Sequence, residues 1–473
     1  MALYIDKRHF DIGRLFAVAL GVICVSSFIF PFSFTFFPSQ NTKNIGAVAG
    51  VVLLVLNLLK KREFAREMPK DLVYVLAAAL GVGFMAFVSA TYNSTYDYEY
   101  VSYIISAIVW ILAAYFAANV IKWIHGYISL SLVVQYLTAV CVMQCVLALI
   151  FDNSPAAVDF FGRYIVGMSN FLKDSGRLFG IGCMLDVAGV RFSGMLILIG
   201  QYCIEASRHS EKKKLAMAMV CFLFITFVGN MIARTTTVGV ILTLVLWIIP
   251  GSMYLFNRIS NKRKMWGTLA LILAVAIPII VGLYQTNGQM RENIRFGFEG
   301  FFSLVEKGHW ETNSNNQLET MVVWPDNPKT WIIGDGYFSD PGATDPYYLS
   351  KGIHFDVFYM STDIGYCRFI FYFGIIGLLA FIFYFFVCAQ VCGKRFPRWR
   401  LAFLFVFLVN LVVWAKVATD VFPVIAIALV VGAAENREAE IRAAVRREDE
   451  YELEEYSKEE IEAVKATMED DEE

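Results

Sequence analysis

Residues 361–377 read STDIGYCRFIFYFGIIG. Just past Asp363 the chain turns from polar to almost wholly apolar, and the apolar run continues to about residue 392. A helix needs about 20 apolar residues to cross the hydrocarbon core of a bilayer, so this stretch reads as a chain entering a membrane. Runs of the same kind recur at 12–30, 44–59, 71–90, 101–121, 127–150, 188–206, 215–232, 236–256, 266–285, 401–416 and 418–434. With 364–392 they make twelve candidate spans. Charges are costly at such an entrance, so Asp363, at the threshold, and Arg368, just inside it, ask for a reason.

Composition agrees with the repeated runs. The 473 residues are 58% hydrophobic, 15% aromatic and only 17% charged, with a mean hydropathy of +0.56. A soluble domain is nearer a quarter charged. In lipid the backbone must satisfy its own hydrogen bonds, and the alternating pattern of a membrane barrel is absent. The expected fold is therefore an all-α integral membrane protein of about twelve transmembrane helices. The first run follows Lys7, Arg8 and Arg14 and lacks a small-residue cleavage site, so it reads as an uncleaved first helix.

Basic residues fall on every second connection. Lys60, Lys61, Arg62, Arg66 and Lys70 follow the second run, and Lys122 and His125 the fourth. Arg208, Lys212, Lys213 and Lys214 follow the sixth, Arg258, Lys262, Arg263 and Lys264 the eighth, and Lys394, Arg395, Arg398 and Arg400 the tenth. The third connection, TYNSTYDYEY (91–100), has two acids and no base. By the positive-inside rule this alternation puts both termini in the cytoplasm. The organisation that follows is membrane helices over 1–285 with an external loop at about 151–187, a large periplasmic loop at 286–363, membrane helices over 364–434, and an acidic cytoplasmic tail at 435–473. The large loop holds Trp310, Trp324 and Trp331, and loops of such length are usually functional, so it is expected to fold and cover something. The tail carries 17 acidic and 6 basic residues and reads as a solvated charged segment. Seven of the nine cysteines lie in apolar runs. Cys183 and Cys367 are the pair open to a disulfide, with packing the favoured reading.

The positive-inside rule leaves the outer arginines unexplained. These are Arg163, Arg177, Arg191, Arg234, Arg291, Arg295 and Arg368. Taken singly, most have a bland reading: Arg191 and Arg368 as snorkelling side chains, Arg163 as a solvated loop residue. Arg234 sits in a tight turn with little other polarity. A guanidinium pairs bidentately with phosphate oxygens and keeps its charge, so a group of them at one face suits a lipid-borne diphosphate. Outer acids are Asp174, Asp186, Glu292, Glu299, Glu306, Asp335, Asp340, Asp345, Asp356 and Asp363, with His309 and His354. Any of these carboxylates or imidazoles within reach of a sugar hydroxyl can serve as a base. There is no zinc, calcium or nucleophile spacing and no phosphate-binding glycine loop, so no metal or cofactor is expected; GDG at 334–336 reads as a turn.

Three stretches resemble the bacterial O-antigen polymerase and O-antigen ligase superfamily, closer to the polymerase branch. RLFGIGCMLDVAG (177–189) resembles its arginine–glycine segment leading into a helix. FVGNMIARTTTVGVILTL (227–244) resembles its serine–arginine turn, with Ala233 in place of the serine. TWIIGDGYF (330–338), followed by the opening stretch, resembles the end of the large external loop. The resemblance implies a GT-C-like, metal-independent inverting glycosyltransferase whose donor is a glycan on undecaprenyl diphosphate. It implies diphosphate contacts from Arg177 and Arg234, with Arg291 or Arg295 supplying another from the large loop. The ligase branch has a histidine eleven residues ahead of the first glycine of its GIIG-like segment, and here that position is Asp363. Asp363 is then either the base or a helix cap. The products implied are lipopolysaccharide O-antigen, capsule or exopolysaccharide. The partners are membrane lipids, lipid-linked glycans, and a chain-length regulator and flippase, with no nucleic acid. The alternatives are transfer to lipid A-core, as in a ligase, and a flippase for lipid-linked oligosaccharides, which would gather charge inside its spans rather than at one face.

Overall fold

The computed structural model describes residues 12–60, 68–168, 177–209, 211–249, 259–340, 358–447, 453 and 456–470. In chain order the helices are α1 (Ile12–Ile29), α2 (Thr42–Leu59), α3 (Leu72–Tyr92), α4 (Tyr103–His125), α5 (Leu130–Asn153), the short α6 (Pro155–Gly162), α7 (Leu185–Arg208), α8 (Lys212–Ile232), α9 (Thr236–Ile248) and α10 (Ile259–Thr286). Four short helices follow: α11 (Gly288–Gly297), α12 (Glu299–Lys307), α13 (Asn313–Thr320) and α14 (Pro328–Ile332). The chain returns through α15 (Gly365–Arg395), α16 (Arg400–Val413) and α17 (Phe422–Leu429), then continues as α18 (Ala433–Arg447) and α19 (Lys458–Asp470). The one small sheet among the described residues pairs 33–34 with 37–41. This is an all-α architecture, with nine helices among the described residues long and apolar enough to cross a membrane.

In three of the twelve expected spans the described helix is shorter than 18 residues. α9 has 13 residues, α16 has 14 and α17 has 8, which as helices reach only roughly 20, 21 and 12 Å. Every residue of α17 is buried. It lies among α4, α15, α1, α5 and α7, so its apolar sequence answers to protein neighbours and not to lipid. The loop 414–421 that leads into it is closed by Asn410 Oδ1, which accepts from Val421 N at 3.0 Å, and by Trp414 Nε1, which donates to Thr419 O at 2.9 Å.

α7 is the axis of the bundle, with neighbours α5, α8, α9 and α16. Small residues let them approach, as is common between membrane helices. A Cβ on Gly239 of α9 would fall 2.3 Å from Ser193 Cα of α7, and one on Gly200 of α7 would fall 2.3 Å from Thr243 of α9. The connections sort onto two faces. The segments 30–41, 93–102, 154–168, 177–184, 233–235, 287–340, 358–364 and 414–421 share one, called here the loop face, joined by contacts such as Thr35 N to Tyr164 O and Lys416 to Asp186. The described parts of the basic connections, around Asp71, Lys122, Glu211 and Arg395, share the opposite, tail face with α18 and α19.

On that face the C-terminal segment is packed where a solvated tail is expected. Glu435 pairs with Lys122, Asn436 Oδ1 accepts from Leu130 N at 2.9 Å, and Arg447 reaches Glu211 at 3.7 Å. α18 and α19 form a hairpin around Ile441, Tyr456 and Val464. The charge excess conceals a helical apolar stripe that supplies this small core. The nine cysteines are all unpaired, and Cys183 and Cys367 are buried, so the disulfide is not formed.

The longest helix, α15, is broken where the opening stretch reads FG. Phe373 and Gly374 leave the helical region, Gly374 at φ +68° and ψ −175°, a conformation essentially confined to glycine. The break leaves carbonyls without intrahelical partners, and the GDG turn supplies donors. Asp335 N donates to Phe371 O at 2.6 Å and Gly336 N to Tyr372 O at 2.9 Å. Ser89 Oγ of α3 also donates to Tyr372 O, at 2.7 Å. Gly334 and Gly336 both have positive φ. A Cβ on Gly374 would lie 2.1 Å from Ile332 O, and one on Gly334 2.4 Å from Tyr372 O. The turn is held in turn by Lys329 Nζ, which donates to Asn93 Oδ1 and Asp335 Oδ1 at 2.7 Å each, and by Asn93 Nδ2, which donates to Gly334 O at 3.0 Å.

Gly374→Ala should destabilise the fold by about 1–3 kcal/mol, read as a lowered melting temperature of the detergent-solubilised protein. An unchanged melting temperature would show that neither the close approach nor the positive φ at this position matters.

Candidate functional site

The turn between α8 and α9 begins at Ala233, which is extended and whose N–H closes on Gly229 O at 2.8 Å. It is pressed onto α7: a Cβ on Gly189 would meet Thr235 Cβ at 2.8 Å and Ala233 Cβ at 2.9 Å. Ser193 Oγ of α7 donates to Thr235 O at 2.9 Å and accepts from Gly239 N at 3.2 Å. Arg234 therefore leaves a rigid corner. Asp186 adds a second tie, accepting from Thr235 Oγ1 at 2.5 Å and pairing with Lys416 Nζ at 2.9 Å.

α11 meets the same corner from above. Gly297 packs against the backbone of Asn230 and Met231, at 3.0 Å from a would-be Cβ. This sets Phe296 between two guanidinium groups: Arg177 lies 5.0 Å and Arg234 4.7 Å from its ring centroid. Arg295, next in sequence, stacks on Phe302 at 4.9 Å and pairs with both oxygens of Glu306 at 2.9 and 3.0 Å. Arg177, Arg234 and Arg295 thus line one cavity of about 520 Å³, with Phe296, Phe302, Lys307, Glu299, Glu306 and Glu311. Four cations face three carboxylates there. Glu299 pairs with Arg234, and Lys307 with Glu311 at 2.6 Å, while Arg177 makes no ion pair among the described residues. Burial, and then the neighbouring Arg177 charge, push the Arg234 guanidinium below its usual range, with Asp186 opposing. Both effects disfavour the charged form of Arg234, and an anion beside it would oppose them. A second cavity of about 210 Å³ shares Arg234 and is walled by Phe298, Phe301, Trp310, Thr235 and Lys416. An aromatic wall with hydroxyls beside a cationic corner suits a sugar next to a phosphate.

The remaining expected residues lie elsewhere. Arg291 donates to Tyr284 O and Gln285 O at 3.2 and 3.4 Å, which satisfies carbonyls at the end of α10, and does not line either cavity. Asp363 is exposed and lines neither cavity. It is not the helix cap either: α15 begins after Ile364, and Thr362 Oγ1 takes the Ile364 N–H at 3.2 Å while donating to Met321 O at 2.7 Å. Arg368 turns its Nε back toward the loop face, onto Thr362 O at 2.5 Å. Arg191 is buried. Asp174, Asp345, His354 and Asp356 lie outside the described residues. Phe296 is passed over in the sequence reading, and Glu299 appears there only among the outer acids, with no tie to Arg234. Their signal was an aromatic and an acid inside the arginine-bearing stretch GQMRENIRFGFEG (288–300), where a ring can serve as a platform for cations.

The chain matches no protein-family model and no curated protein. No group of three or more potential metal ligands occurs among the described residues.

Glu299 competes with any anion for Arg234. Glu299→Gln should therefore tighten binding of inorganic pyrophosphate by about 1 kcal/mol, roughly fivefold in Kd, measured by calorimetric titration of the solubilised protein. Weaker binding in this variant would mean that Glu299 orients Arg234 instead of blocking it.

Proposed function

We propose that this protein is a polysaccharide polymerase of the bacterial inner membrane, with twelve passes, both termini cytoplasmic and the loop face in the periplasm. It joins undecaprenyl-diphosphate-linked oligosaccharide repeat units into O-antigen, capsular or exopolysaccharide chains. The observation that carries this reading is the convergence of Arg177, Arg234 and Arg295 on one cavity at the loop face, beside an aromatic-walled second cavity. The side assignment draws on the basic residues of the tail face, among them Lys122, Arg208, Lys214 and Lys394.

The chemistry follows from the charges. A hydroxyl of the acceptor sugar attacks the anomeric carbon of the donor from the face opposite the diphosphate. The new C–O bond forms as the glycosyl–phosphate bond breaks, with inversion at that carbon. The electron pair leaves on the diphosphate, and the hydroxyl proton passes to a base. Fixed guanidinium groups stabilise the developing charge on the leaving group, and they need no proton exchange to do so because arginine stays charged. Since diphosphate leaves readily, the larger task is to hold two lipid-linked chains end to end. Asp363 is the proposed base because it holds the position of the ligase histidine, at the end of the large loop; its carboxylate is exposed and lines neither cavity, so it would serve through the acceptor.

Arg177→Ala and Arg234→Ala should each abolish polymer while the protein stays in the membrane. The readout is gel analysis of lipid-linked glycans extracted from a deletion strain carrying each variant. The deletion strain itself should retain single repeat units on the periplasmic face. Long lipid-linked chains that fail to reach lipid A would instead identify a ligase, and single units confined to the cytoplasmic face a flippase. Asp363→Asn should lower polymer formation by a factor on the order of 100. Full polymer from that variant would remove Asp363 from the chemistry.

A further inference from the structure

Arg191 is one of the most unusual side chains in the bundle. It sits in the second turn of α7, only 8% exposed, and its Nε has no hydrogen-bond partner. Its Nη1 donates to Ile29 O, the carbonyl end of α1, at 2.5 Å. Its guanidinium lies 5.7 Å from the ring centroid of Trp110 on α4. The same ring carries a second cation, Lys43 Nζ, at 4.9 Å. Lys43 is in the first turn of α2 and makes no ion pair among the described residues. The acid whose charge reaches both is Asp420, and one of its oxygens is already taken by Phe422 N at 2.9 Å. Two cations on one indole with a single nearby acid leave an excess positive charge in a poorly solvated place, an arrangement that is costly without an anion. Lys43, Trp110 and Asp420 are each partly exposed, so the site is open from outside while Arg191 forms its floor.

This place is distinct from the arginine cavity. Asp186, which belongs to that cavity's corner, precedes Arg191 by five residues, roughly 140° around the helix. The segment 416–420 joins the two places, with Lys416 on Asp186 at 2.9 Å and Asp420 beside Arg191. From Lys43 an exposed apolar stripe, Ile45, Val48, Val52, Leu56 and Leu59, runs along α2 through the depth of the membrane.

We propose that Lys43, Arg191 and Trp110 form a second anion site that holds the diphosphate of a second polyprenyl-linked glycan, whose chain lies along the stripe on α2. The identity of this ligand rests on the function proposed above. The site and the arginine cavity then hold the two substrates of one joining reaction on either side of α7.

The test is native mass spectrometry of the full-length protein with undecaprenyl diphosphate as the probe. Wild type should bind two molecules per chain, Lys43→Gln one, Arg234→Gln one, and the double variant none. Lys43→Gln is preferred to a change at the buried Arg191, which would threaten folding. Arg191→Lys, which keeps the charge but not the fork, should weaken the second molecule about tenfold. Two molecules on Lys43→Gln, or a single one on wild type that Arg234→Gln removes, would overturn the second site and leave the function proposed above standing. Conversely, one molecule on wild type that only Lys43→Gln removes would uphold the second site and fault the arginine cavity. Phosphatidylglycerol or inorganic pyrophosphate displacing the Lys43-dependent molecule at equal concentration would mark a bulk-lipid or free-anion site and overturn the assignment to a second substrate.

Discussion

A backbone carbonyl in hydrocarbon has no water to turn to, so a helix broken inside a membrane protein must find its missing donors in the protein itself. The break at Phe373 and Gly374 is where that constraint governs this molecule. The donors come from Asp335 and Gly336, in a turn reached only after the long excursion from α10. Satisfying two carbonyls of α15 therefore pins the far end of that excursion to the bundle. Lys329, Asn93 and Asp335 then lock the turn against α3. Asp335 is 1% exposed and leaves its Oδ2 without a partner, an unfavourable burial that the lysine offsets. With that end fixed, and the other fixed by Gly297 against α8, the helices between are positioned over the arginine corner.

Those helices do two things at once. They wall the cavity, and they bring the carboxylates that pair with two of its arginines. Glu299 and Glu306 are both within one or two turns of the ends of α12, and each takes one guanidinium. The pairs are partly exposed, so each is worth little in net stability. Arg177, with no carboxylate of its own among the described residues, leaves the cavity with more cations than carboxylates. Phe296 between Arg177 and Arg234 holds two like charges close without supplying an anion.

The nine long helices were legible because lipid and helix length impose a simple rule on sequence. The rule fails for α17, where VFPVIAIALV (421–430) is as apolar as any span. A helix buried in protein and one buried in lipid ask for the same residues, and hydropathy cannot separate them. GDG could be read as a turn but not as a plug, because the carbonyls it serves lie 36 residues downstream, in a helix whose break has no local signal beyond Gly374. The arginines stood out by residue type, and charge alone could not say that Arg291 would turn back onto α10 while Arg177 and Arg234 met over one ring. The tail was misjudged because a net count of charges is blind to the phase of Ile441, Val445, Ile461, Val464 and Met468 along their helices.

The docking of α18 has a consequence for how the molecule is made. Glu435 and Asn436 close onto Lys122 and Leu130, more than 300 residues earlier in the chain. During synthesis the turn between α4 and α5 emerges with its polar groups unclaimed, and it waits until all the intervening helices have been inserted. The final clasp therefore reports on the arrangement of everything threaded before it. A helix inserted in the wrong direction would leave α18 on the wrong side of the bilayer or out of reach, with Lys122 and the Leu130 amide uncovered.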